Sequence, residues 1–412
     1  MPNRGFIDLP VHVKGSRDGS DITGRLRASS LSVIKDFKFR YEITDRDWDQ
    51  ETIGSATISY TSASSSAHLK TTTADGDRAI LQSHQYWSTH PSKPYSFRAG
   101  IKFDTGQTNL NQRWGVFDNN NGVFFQYNGT SFQTVSRKNG TDTVVDQEDW
   151  NIDTLDGSTN ARNPSGKKLD LDNVQFLVIE HAGTSITCMR WGIYVDCEVR
   201  YVHQLSYSNN ETSGPVASLD LPMRAEVQNV GEISGVSDLG FNGGTIYAEA
   251  EHATPTFTHS VNTSNNGIAV TTKRPVISIR PRTSYQGKTM RRTLTPISVE
   301  LSAETKAVFY EVLYFKAGNG TISNASFTGA EHDSLMMWDY KATGAHGGHV
   351  MDSGFVQSGG RKLESGSKGH DLSLMYLSLN LSGDAADTMV INCSGIGGGA
   401  TVRSFALWFE GE

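Results

Sequence analysis

The stretch "RWGVFDNNNGVFFQYNGTSFQTVSR", residues 113–137, is where residue types and spacing first suggest chemistry. Calcium loops of the D-x-[DN]-x-[DN]-G type place oxygen ligands at alternate positions and a bidentate glutamate at the twelfth. Asp118 and Asn120 satisfy the first and third positions, but Gly122 stands at the fifth and Gly129 at the twelfth. With two ligands missing, the stretch reads as two chain reversals, because Asn and Gly tolerate the positive φ of a tight turn. The sequence predicts a three-stranded meander with Trp114, Phe117, Phe124 and Tyr127 turned toward a sandwich interior.

Other candidates are weaker. His346 and His349 in "AHGGH" could hold a divalent ion, but no third ligand accompanies them, and a loop with incidental histidines is preferred. Acids for glycoside cleavage could come from "DQEDW" (Asp146, Glu148, Asp149) and "WDYK" (Asp339). That chemistry needs two carboxyls about 5–9.5 Å apart, and acids on exposed turns are the simpler reading. Trp48, Trp87, Tyr95 and Trp150 lie in or near polar segments, as sugar platforms do, although core or interface packing is preferred. The chain contains no G-x-S-x-G elbow, P-loop or dinucleotide fingerprint. The expectation is no catalytic, metal or cofactor-binding residue and no cofactor.

The elements that would position such residues are strands. Runs such as "FRAGIKFD", "VQFLVIEH", "AVFYEVLYF" and "VRSFALWFEGE" are rich in β-branched and aromatic residues and bounded by Gly, Asn, Asp or Pro. Helical periodicity is scarce, and no tandem repeat suggests a propeller or β-helix. The fold class expected is all-β: antiparallel β-sandwich or jelly-roll domains with an extended N-terminal arm. The boundaries expected are an arm at 1–45, a central jelly-roll-like sandwich at 46–250, a connector at 251–274 and a C-terminal sandwich at 275–412.

Composition fits that frame. The 412 residues, 36% hydrophobic with 41 glycines, suit a turn-rich fold of more than one domain, and 9% aromatics argue against disorder. Net charge is −7, and the basic cluster "GKTMRRT" around Arg291 and Arg292 is too short for a nucleic-acid footprint. Cys188, Cys197 and Cys393 form no zinc pattern; Cys188 and Cys197 could face each other across a hairpin, but reduced, buried thiols are preferred. The start lacks a signal-peptide pattern and no apolar run approaches ~18 residues, so cytoplasmic synthesis without membrane insertion is expected. The sequons at Asn128 and Asn319 then read as turns.

Several segments occur together in order: "GSATISY", "GDRAILQSHQYWSTHPSKPYSFRAGIKF", the meander above, "DWNIDTLDG", "NPSGKKLDLDNVQFLVIEH", "LPMRAEVQN", "ISIRPRTSYQGKTMRR", "FYEVLYF", "WDYKATG" and "DSGFV". This series resembles a family of structural proteins in the particles of tailed phages and other large DNA viruses, over most of residues 50–412. It departs from that family at "EHAGTSITCMRWGIYVD". The resemblance implies a non-enzymatic virion component, tail-associated in a fibre or baseplate, made in the host cytoplasm and assembled into the particle. Its partners would be copies of itself, as a trimer or higher oligomer, and neighbouring virion proteins, with the arm docking it. The alternatives are a receptor- or glycan-binding module of the particle and a head-surface decoration protein.

Overall fold

The computed structural model describes residues 31–88, 94–182, 188–207, 209–218, 220–249, 256–263, 267–330, 333–365 and 376–411. Among the described residues strands dominate, every strand pairing is antiparallel, and one 3-10 turn, Gln147–Asp149, interrupts them. The all-β sandwich class expected from the sequence is therefore the class observed.

Two sheets make the first sandwich. One runs in the order Glu198–Ser206, Cys188–Val195, Gln175–Ala182, Pro94–Lys102, Ser237–Glu249, Ser66–Thr71, Thr57–Thr61. The other runs Thr141–Asp146, Phe132–Lys138, Gly122–Tyr127, Leu110–Phe117, Met223–Asn229, Arg78–Ser83, Trp48–Ile53. Side chains alternate along each strand, so Leu110, Trp114 and Val116 enter the core between the sheets, with Phe97, Ile101, Leu177 and Ile179 from the opposite sheet.

A second sandwich has its own core, built by Ile277, Ile279, Val299, Leu301, Tyr310, Ile391 and Val402. Its sheets centre on Thr295–Ala303 paired with Ala400–Gly411, and on Arg274–Pro281, Thr388–Gly395 and Val308–Phe315.

Composition misplaced two segments. Leu31–Phe37, assigned to the arm, pairs with Ser237–Glu249, and Phe37 and Phe39 pack on Trp48 with ring centroids 4.8 and 5.4 Å away. Phe37 enters the first core and Ile34 packs against it, within the same chain; residues 1–30 lie outside the described residues. Thr256–Asn262 and Ile268–Val270, assigned to the connector, both pair with Ala400–Gly411, while residues 251–255 and 264–266 lie outside the described residues.

The meander forms as expected. Asp118 turns the chain by accepting the backbone N–H groups of Asn120 (2.7 Å) and Asn121 (2.8 Å) on one carboxylate oxygen. Asn128 caps the second reversal through the N–H groups of Thr130 (3.0 Å) and Ser131 (2.8 Å). One detail is corrected. Trp114 and Tyr127 face the core, but Phe117 and Phe124 lie on the outer face and cluster with Val135.

Gly129 in the second reversal has φ +90°, and a Cβ there would lie 1.8 Å from the Gln107 carbonyl oxygen. Gly129→Ala is expected to destabilise the protein by roughly 2 kcal/mol, read as a lower denaturation midpoint.

Candidate functional site

The two sandwiches meet along the edge strand Trp48–Ile53. Alternation buries Trp48 in the first core and turns Asp49 and Glu51 to the other side, toward the second sandwich. There the loop after Val308–Phe315 and the 380–382 segment close a cleft of about 350 Å³. Its size lies at the lower end of the ~300–1,000 Å³ usual for small-molecule sites, which favour such junctions.

One wall is a buried chain of charges. His84 donates from Nδ1 to both Asp49 oxygens, at 2.9 and 3.0 Å, and from Nε2 to Asp387 at 2.7 Å. Asp387 also accepts the N–H groups of Ala317 (2.8 Å) and Ser378 (3.0 Å). Lys316 reaches across the junction to Asp49 at 2.9 Å, to the Trp48 carbonyl at 2.9 Å and to the Asp45 carbonyl. Two carboxylates, one imidazolium and one ammonium thus cancel in charge. Burial works against the charge on His84, but Asp387 and Asp49 outweigh it and raise the imidazole to about 9. Burial likewise opposes the Asp49 anion, and His84 with Lys316 still holds it below the usual carboxylate range.

The far wall is positioned by Arg291. Its guanidinium donates to the carbonyls of Asn380 and Leu381, each at 2.9 Å, and lies 5.0 Å from the Tyr86 ring centroid of the first sandwich. The basic cluster is therefore a strut between the sandwiches. The cleft is also lined by half-buried Glu51 and by exposed Gln50, Asn319 and Ser382. They offer carboxylate, amide and hydroxyl groups to a polar ligand.

A second polar array crosses the outer face of the seven-stranded sheet. Directly paired residues on successive strands form a hydrogen-bonded rung. Arg113 donates to Glu226 (2.5 Å) and to Gln126 (2.6 Å), Gln126 to Gln133 (2.8 Å), and Gln133 to Asp146 (2.8 Å). Arg78 and Arg224 also reach Glu226, at 2.8 and 3.2 Å. Burial favours the neutral acid, yet the three guanidiniums hold Glu226 at about 2. Its lone pairs are committed, so this carboxylate can neither donate a proton near neutral pH nor attack a substrate.

The residues singled out from sequence mostly lie elsewhere. Asp146 ends the rung, Glu148 and Asp149 are exposed on the 3-10 turn, and Asp339 is buried in the second sandwich, capping the N–H groups of Ser326 and Ala342 at 2.9 Å each. These acids are not brought together. Trp48, Trp87, Tyr95 and Trp150 are all buried in the first core, as packing predicts. His346 and His349 are exposed on successive strands that belong to different sheets, and no group of three His, Cys, Asp or Glu among the described residues could hold a metal. Cys188 begins the strand Cys188–Val195, where it pairs with Ser206, and Cys197 follows in the exposed turn, so the two do not oppose each other and form no disulfide.

Sequence reasoning missed Glu51, His84, Lys316 and Asp387. The alternation in "WDQET" could have revealed Asp49 and Glu51 as one face. Nothing local links His84 with Asp387, 303 residues away.

No family model matches the chain, and no curated protein matches it. Solved structures do. A Bacillus licheniformis beta-glucanase is 11% identical, covering 54% of this chain and 100% of its own, with a TM-score of 0.35. A beta-1,3-glucanase from Mycobacterium marinum is 10% identical, covering 53% and 100%, TM-score 0.35. The Crh5 transglycosylase is 14% identical, covering 55% and 87%, TM-score 0.36. None of these is a virion protein. The expectation of a non-enzymatic phage component is corrected by this finding.

Proposed function

We propose that the protein binds carbohydrate in the cleft between its two sandwiches. The lining carries this reading: carboxylate, amide and hydroxyl groups converge on one recess whose wall is fixed by the Asp49–His84–Asp387 chain. Sugar hydroxyls both donate and accept, and a carboxylate or amide can engage adjacent hydroxyls in pairs. A wall held rigid beforehand loses little freedom when ligand arrives. An array of immobilised oligosaccharides tests the reading with the wild-type chain and Glu51→Gln. Retention of a glycan is expected, weakened about tenfold by the substitution at unchanged thermal stability. Failure to retain any glycan, or equal retention by the variant, would sink it.

A second reading is cleavage of the bound glycoside. Asp49 and Glu51 are two residues apart on one strand. That spacing puts both side chains on one face of the strand, with backbones about 6.6 Å apart, and so presents two acids to the same ligand. In that step Glu51 in its acid form would give its proton to the leaving oxygen, water would add to the sugar carbon as the glycosidic bond breaks, and the proton of that water would return to Glu51, while Asp49, held ionised, offsets the developing positive charge. New reducing ends from the retained glycan, absent with both Asp49→Asn and Glu51→Gln, would support cleavage; their absence with the wild-type chain would leave binding alone.

A further inference from the structure

A second recess of about 390 Å³ lies on the other side of the Lys316–Asn319 turn, within the C-terminal sandwich. Its character is opposite to the first. The interdomain cleft is lined by Asp45, Asp49 and Glu51 with Lys316, whereas this recess is lined by Arg280 and Lys316 and by no carboxylate.

The two cations are not equivalent. Lys316 is engaged by Asp49 and by the carbonyls of Trp48 and Asp45. Arg280 lies half-buried over the Phe327 ring, 3.9 Å from its centroid, and has no hydrogen-bond acceptor among the described residues. Asp339 acts on it through space, but the two Asp339 oxygens already accept the N–H groups of Ser326 and Ala342. None of its nitrogens is buried without a partner, so its donors stand open to water and to an incoming acceptor. Its planar fork matches the paired oxygens of a carboxylate, sulfate or phosphate. Phe327 fixes the plane of the fork, and Asn319 and Thr388 add neutral polar groups to the lining.

We propose that this recess binds an oxyanion through Arg280, and that the anion is the acidic substituent of the carbohydrate seated in the interdomain cleft. Lys316 and Asn319 line both recesses, so one short chain can span them. The assignment of the anion to a sugar rests on the carbohydrate reading; the anion site itself does not.

Calorimetric titration with a uronic-acid oligosaccharide, its neutral counterpart and inorganic sulfate separates the two. In the wild-type chain the acidic sugar should bind at least about tenfold tighter than the neutral one. In Arg280→Gln, which keeps a planar group over Phe327, the two should bind alike. If neither sugar binds but sulfate binds in an Arg280-dependent way, the carbohydrate reading falls and the anion site stands. Equal binding of both sugars by the wild-type chain without sulfate binding overturns the anion site and leaves the carbohydrate reading intact. An acidic preference that survives Arg280→Gln also overturns it.

Discussion

Glu226→Gln is expected to lower the free energy of unfolding by roughly 3–5 kcal/mol, the cost typical of removing one partner from a buried ionic cluster. The carboxylate is fully buried and pairs with Arg78, Arg113 and Arg224. An amide of the same shape fills the space but leaves three guanidiniums with no anion to offset them. The same group sets an acid limit. Its folded value of about 2 lies below the ordinary carboxylate value, so its contribution is present above about pH 4.5 and lost as pH falls through about 2. Denaturant unfolding at neutral pH checks the first claim. A midpoint unchanged by Glu226→Gln would show that the rung does not fasten the sheet.

Alkali should loosen the junction between the sandwiches. His84 is raised to about 9 from an ordinary 6.5. Its stabilisation is therefore complete below about pH 6.5 and disappears as pH rises through about 9. The gap amounts to roughly 3 kcal/mol. Unfolding measured from pH 6 to 10 should show that decline in the wild-type chain and a much flatter profile in His84→Gln. Parallel profiles for the two would place the titrating group elsewhere.

Period-two patterning made the strands, the meander and the all-β class legible, because alternation and turn residues act locally. The same rule contained details that were passed over. Trp114 and Phe117 are an odd number of residues apart on one strand, so they had to face opposite ways. Trp48 sits among polar residues in "WDQET", but its neighbours point away from it into the cleft. The candidate site was legible only in that pair of acids. His84 meets Asp387, and Lys316 meets Asp49, through tertiary packing that no local pattern encodes. The segments that suggested a virion family show why function misled. "RWGVFDNNNGVFFQYNGTSFQTVSR" and "LPMRAEVQN" supply Arg113, Gln126, Gln133, Arg224 and Glu226, whose task is to tie neighbouring strands together. Such motifs describe how a sheet is held, not what it acts on.

The two apolar cores are separate clusters. What joins the halves includes Lys316, His84 and Arg291, acting through directional contacts rather than a greasy seam. Cooperativity between the halves therefore passes through a small set of polar links. A guest touching Glu51 on one flank and the Asn319 turn on the other would act as a staple. Occupancy would register as a merging of two calorimetric melting events into one.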